Sequence, residues 1–253
     1  MHNVVIHQLL RQLDAAVYEG EYKGQKCILK FLQEYEKYRP ATKEGEITAL
    51  LQETGRVPRV LDTLHDITHS EGDETYTTLL VLEYLECGDL SNVTTDVRSA
   101  RSICSIIVSG VTEFLSKGIV HNDLKLGNLR YSNGKVYFLD FGSAYDVEYW
   151  DVIKGYPIKQ YSFGADGFHE ELAVLQDFLC RAPLLCAPPL CDLEDSVTHP
   201  GSFYLEREYR DLVDNCLLPL LEQVGDSEGI AFIKGCDKRD FSSIVSAVAQ
   251  LNI

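Results

Sequence analysis

The sequence predicts an α+β fold of two lobes in one domain, a small strand-rich N-lobe over residues 1–85 and a larger helical C-lobe over residues 86–253. Three observations carry this reading. Short apolar runs bounded by turn residues crowd the first 85 positions, as half-buried strands do. Beyond them, apolar residues recur at intervals of three and four, the spacing of a helix face. Strands then helices, rather than strands alternating with helices, point to segregated α+β layers. At 253 residues and 45% apolar content the chain can bury a sizeable core.

The elements follow in order. Ala15–Gly20 and Lys26–Leu32, joined through Tyr22, Lys23 and Gly24, read as a β-hairpin. Residues 43–53 place Ile47, Leu50 and Leu51 on one helical face. Val57–Leu61 and Thr77–Leu82 read as strands separated by an acidic loop, His69 to Thr75. From Val97 to Ser116, the positions Ile103, Ile106, Ile107, Val111, Phe114 and Leu115 predict a long buried helix, with Gly118 as its stop. Asn133-Gly134 is a tight-turn dipeptide, and Val136–Leu139 a short strand after it. Helical patterns return at 168–181, 204–223 and 239–251, around a loop from Ala182 to Ser202 that is rich in Pro and Cys.

Composition narrows the function. A formal charge of −16 argues against nucleic acid as a partner, because phosphate backbones are held by an excess of Lys and Arg. It suits a basic protein substrate, or simply a well-solvated surface. The N-terminus lacks the order of a secretory signal and no apolar run is long enough for a membrane span, so a cytoplasmic or nuclear location is expected, with no membrane partner. The eight cysteines then read as thiols, with Cys27, Cys87 and Cys104 as small core residues. Cys180, Cys186, Cys191 and His199 lack the paired spacing of common zinc sites.

The chemistry concentrates in His121-Asn122-Asp123-Leu124-Lys125-Leu126-Gly127-Asn128, followed by Asp140-Phe141-Gly142 at the end of a strand. This pair of motifs resembles the catalytic loop and metal-binding turn of protein kinases. The resemblance implies Asp123 as catalytic base, Lys125 as a charge neutraliser at the transferred phosphate, and Asn128 and Asp140 as Mg²⁺ ligands for bound ATP. It implies that Lys30 holds the α- and β-phosphates, with Glu46 as its partner and Glu44 as the second choice. Val17 would roof the nucleotide. Leu80–Leu90 resembles the inter-lobe hinge, where the backbone of Glu83 and Leu85 would meet adenine and Asp89 the ribose, with Leu82 as gatekeeper. Asp166 resembles the residue that supports the catalytic-loop backbone.

The chain departs from the family at several positions. The three glycines expected before Val17 are Leu10, Gln12 and Ala15, whose side chains restrict φ and fill space beside a phosphate. Ile28 stands above the adenine slot, and Arg130 below it either stacks on the base or fills the slot. Asn122 replaces the arginine that clamps a phosphorylated activation loop, and Ser143–Tyr161 shows no clear Ala-Pro-Glu. The resemblance implies a protein Ser/Thr kinase, the type that Lys125 favours. The alternative is a pseudokinase acting as a partner-binding scaffold.

Overall fold

A computed structural model of the chain describes residues 3–12, 15–33, 42–71, 74–92, 95–146 and 200–251. Its first part is a five-stranded antiparallel sheet. The strands are β1 (Val4–Gln12), β2 (Ala15–Tyr22), β3 (Gln25–Leu32), β4 (Val60–Leu64) and β7 (Thr78–Glu83), in the spatial order β1-β2-β3-β7-β4. Lys23 and Gly24 both take positive φ, 53° and 81°, which matches the two-residue turn to the twist of β2 and β3.

The sheet has two distinct faces. Alternation along β2 buries Ala16, Tyr18 and Tyr22 with Cys27, Leu29, Phe31, Leu79 and Val81 in a core on the outer face. Val17, Lys30 and Leu80 form one cross-strand row on the opposite face. That face meets helix α1 (Thr42–Leu51), where Leu80 Cδ1 comes so close to Gly45 that a Cβ there would sit 3.1 Å from it.

Three expectations for this part are corrected. A strand precedes the first hairpin: β1 pairs with β2 through two register shifts, and Val5, Ile6, Leu9 and Leu10 on it are exposed, so no simple alternation advertises it. The stretch His69 to Thr75 is not a loop but part of a hairpin, β5 (His69–Glu71) with β6 (Glu74–Tyr76). Aromatic packing explains the difference, since the His69 ring stacks on Phe31 at 4.0 Å and Tyr76 is fully buried. The strand expected from Val57 begins at Val60, because Pro58 has no N–H for a ladder and Val57 is buried in the other core.

The second core is built around helix α2 (Val97–Ser116). Asp96 caps it, accepting from Ser99 N at 2.7 Å, and Ile103, Ile107, Val111 and Phe114 are its buried stripe. Ile47 and Leu51 of α1 and Phe141 join this same core, so α1 bridges the lobes. Short strands β8 (Gly88–Asp89), β10 (Leu129–Ser132) and β11 (Lys135–Phe138) form a three-stranded sheet, and β9 (Ile119–Val120) pairs with β12 (Tyr145–Asp146). A helical stretch then runs from Pro200 to Asp211, through a widened π turn over Leu212–Leu217, to Leu218–Gln223. It begins two residues before the expected end of the preceding loop, with Pro200 in the first turn, where a missing N–H costs nothing.

Ser227–Lys234 is a helix that the apolar pattern does not announce, because only Gly229 and Ile233 of it are buried. The last helix is Phe241–Gln250. The pattern at 168–181, the cysteines 180, 186 and 191, His199 and Asp166 lie outside the described residues. Among the described residues no helix is long and apolar enough to cross a membrane, and Cys27, Cys104 and Cys216 are buried free thiols. Cys87 is only half-buried, at the bend after β7, with its Sγ 3.6 Å from Leu85 O.

Candidate active site

Lys30 sits on β3 with its side chain almost fully buried, and its Nζ donates to Glu44 Oε1 and to Asp140 Oδ1, both at 2.7 Å. The lysine's partner is therefore Glu44, not Glu46. Two residues along a helix turn a side chain by about 200°. Glu44, in the first turn of α1, faces the sheet while Glu46 points to solvent. Burial pushes the Glu44 carboxyl up from its ordinary value, and Lys30 opposes that push. Burial also works against the charge on Lys30, but Glu44 and Asp140 together raise its pKa above that of a free lysine. A cation shared by two carboxylates offsets part of the desolvation that either pair alone would suffer.

Asp140 has a second cationic neighbour. Arg11 of β1 places Nη1 3.5 Å from Asp140 Oδ2. Burial opposes ionisation of Asp140, yet Lys30 and then Arg11 bring its carboxyl down to about 2. Asp140 adopts a left-handed backbone, φ 65°, which Asp tolerates better than bulkier residues. Phe141 beside it is buried against Phe114 and the His121 ring, with centroids at 5.8 and 4.7 Å. Gly142 lies beside both carboxylates: a Cβ there would sit 3.4 Å from Glu44 Oε2 and 3.5 Å from Asp140 Oδ1, in ordinary contact.

The loop from His121 to Asn128 is held at both ends, the far one by Leu139 N, which donates to Asn128 O at 2.9 Å. Glu208, on the Pro200–Asp211 helix, accepts from His121 N at 2.9 Å and from Asn122 N at 2.7 Å. Burial raises the Glu208 carboxyl to about 7, against the pull of those two N–H groups. His121 Nε2 donates to Leu139 O at 2.9 Å, which leaves Nδ1 to accept from Asp123 N at 3.3 Å. That is a neutral imidazole, and burial lowers its pKa accordingly. Asn122, at φ 61°, donates from Nδ2 to Ser143 O at 3.1 Å, tying the loop to the segment after Gly142.

Inside the loop three side chains converge. Lys125 Nζ lies 2.7 Å from Asp123 Oδ2, and Asn128 Nδ2 donates to both Asp123 O and Asp123 Oδ2 at 2.9 Å. These bonds fix Asn128's amide, leaving its Oδ1 as the atom to face a cation.

A protein kinase domain model matches residues 15–154, more than half of the chain. The chain belongs to the protein kinase family. Residues shared with "Kinase suppressor of Ras 2" of Homo sapiens are 44% identical over 52 residues, 21% of this chain and 6% of that protein, and the Mus musculus protein of the same name matches equally. "Probable serine/threonine-protein kinase fhkB" of Dictyostelium discoideum is 28% identical over 184 residues, 68% of this chain and 14% of that protein. The chain thus matches only a small fraction of the length of these relatives.

Against the kinase pattern, the roof and hinge positions carry paired charges. Val17 is half-buried in the row that contains Lys30. The Glu83 side chain is engaged by Arg59, whose N and Nε lie 3.2 and 3.3 Å from Oε2, and Leu85 O accepts from Cys87 N at 2.9 Å. Asp89 Oδ1 accepts from Ser91 N at 2.8 Å, while its Oδ2 pairs with Arg130 Nη1 at 3.1 Å. Arg130 also donates to Gly127 O and Leu129 O, at 3.0 and 3.1 Å. Its guanidinium is thus directed at Asp89 and the loop carbonyls.

Two residues of the site escape the motifs. Arg11 is placed by a β-bulge, which leaves no signature in local composition. Glu208 is legible only as a carboxylate on an apolar helical stripe, four and eight residues before buried Leu212 and Cys216. It does for the loop backbone what the family resemblance assigned to Asp166.

Proposed function

We propose that this kinase domain binds Mg-ATP between its lobes and transfers the γ-phosphoryl group to a Ser or Thr hydroxyl of a protein substrate. The observation that carries the reading is the joint presence of Lys30–Glu44–Asp140 and Asp123–Lys125–Asn128, two hydrogen-bonded sets joined to one core through Phe141 and His121. Asn128 and Asp140 supply oxygen donors, the chemistry Mg²⁺ prefers, and the weak 3.5 Å contact at Asp140 Oδ2 is easily exchanged for a metal. Bound there, the ion would neutralise charge on the phosphates.

The protein's own residues account for the rest of the step. Asp123 orients the attacking hydroxyl and takes its proton as the new oxygen–phosphorus bond forms and the bond from phosphorus to the ADP oxygen breaks. Lys125, already beside Asp123, balances charge on the transferred group. Asn122 bonded to Ser143 O holds the start of the activation segment without a phosphate, so activity is independent of phosphorylation there. Lys125 and the name of the Dictyostelium relative support the Ser/Thr type. The formal charge of −16 supports a basic protein substrate.

A second reading, a pseudokinase scaffold, is favoured by Leu10, Gln12 and Ala15 in the roof and by Arg130 closing on Asp89. Thermal-shift titration with millimolar ATP and Mg²⁺ separates the two. The kinase reading expects a rise in melting temperature by mass action; no shift at saturating nucleotide supports the scaffold.

A further inference from the structure

The strand that would carry a kinase's glycine-rich turn carries Arg11 instead. Its placement follows from register. Leu9 pairs with Tyr18, on the outer-core face, whereas Arg11 pairs with Val17, on the opposite face. Without the shift between them, residues 9 and 11 would share a face. The extra residue is Leu10, one of the three positions where the family has glycine. The bulge turns Arg11 into the row Arg11–Val17–Lys30, with a cation on each side of Val17. Both cations then reach the same carboxylate, Lys30 at Asp140 Oδ1 and Arg11 at Asp140 Oδ2.

We propose that Arg11 is a phosphate-binding residue of the nucleotide site, replacing with one guanidinium the backbone N–H groups that a glycine-rich turn would offer. This rests on the kinase reading above. The contact with Asp140 is long and exposed on the Arg11 side, 46% of the side chain being accessible, so it costs little to give up. With Asp140 holding a metal, the Arg11 guanidinium would be free beside Lys30 to take phosphate oxygens. Guanidinium geometry suits phosphate oxygens in a way a single ammonium does not. The side chain at position 10, where the family has glycine, and the inward placement of Arg11 are then linked, because the bulge falls at Leu10.

The test is calorimetric titration of the whole chain with Mg-ATP, Mg-ADP and adenosine, for wild type, Arg11→Gln and Arg11→Lys, with melting temperatures as a check on folding. Arg11→Gln should weaken ATP binding by about tenfold to a hundredfold, the range of one charge-assisted bond. ADP should lose less and adenosine nothing, while Arg11→Lys recovers part of the loss. The inference is overturned if Arg11→Gln binds ATP as wild type does. Tighter ATP binding by that variant also overturns it, since Arg11 would then be a plug on Asp140. Equal loss for ATP and adenosine overturns it as well, because a structural role would do that. A wild-type chain that binds none of the three removes the kinase reading along with Arg11's role, an outcome distinct from failure at Arg11 alone.

Discussion

The two sides of the cleft have been treated differently. On the C-lobe side, Asp123, Lys125, Asn128 and Asp140 keep the family's residue types and are bonded to one another and to their supports. On the roof and hinge side, glycines are gone, and charged side chains pair off as Arg11–Asp140, Arg59–Glu83 and Arg130–Asp89. Chemistry at a phosphorus atom tolerates little change in the groups that move a proton or hold a metal. Affinity for the rest of a nucleotide comes from many small contacts and can be redistributed.

The largest effect expected is at Asp140. Asp140→Asn removes the proposed anionic metal ligand and one of the two carboxylates around Lys30, so metal-dependent ATP binding and phosphate transfer should vanish together. Calorimetry and a transfer assay on the same preparation check this, and retained Mg²⁺-dependent binding would break the assignment.

Glu44 and Glu46 form a built-in control. Glu44→Gln leaves Lys30 one buried anion short and should cost about 1–3 kcal/mol of stability, with at least a tenfold loss of turnover. Glu46→Gln, on the exposed side of α1, should stay within about 0.5 kcal/mol of wild type. Urea denaturation of both variants decides it; equal effects would contradict the pairing seen at Lys30.

Glu208 gives a smaller effect with a definite sign. Its carboxyl is raised in the fold from 4.5 to about 7. The folded state therefore binds this proton more tightly than the unfolded one. Glu208's contribution to stability falls as pH rises from about 4.5 to about 7 and is level above that. The stability of wild type relative to Glu208→Gln should accordingly decline between pH 5 and 7 and then flatten, as urea titrations at several pH values will show. A difference that rises with pH would mean the group is stabilised as an anion. Smallest of all is the effect of phosphatase treatment, which should leave activity unchanged because Asn122, not a phosphate clamp, holds Ser143.

What could be read from sequence follows the same divide. The loop from His121 to Asn128 and the turn at Asp140 are contiguous strings whose spacing is their geometry, and α2 is legible because a buried apolar stripe runs from Ala100 to Phe114. Glu44 and Glu46 are not told apart by composition, because two glutamates two positions apart differ only in helical phase. Arg11 depends on a register shift, and Glu208 on packing between residues 86 apart in sequence. The β5–β6 hairpin is hidden by its charges, while His69 and Tyr76 supply the packing that makes it fold.

The central claim, that the C-lobe side of the cleft performs phosphoryl transfer, is tested most directly at Asp123. This carboxylate is held by Lys125 and Asn128 and lies off the Lys30 cluster. Asp123→Asn should therefore bind Mg-ATP with nearly wild-type affinity while transfer of labelled γ-phosphate to a generic basic protein falls by about a hundredfold to ten-thousandfold. Transfer at the wild-type rate by Asp123→Asn, with ATP bound, would contradict the account.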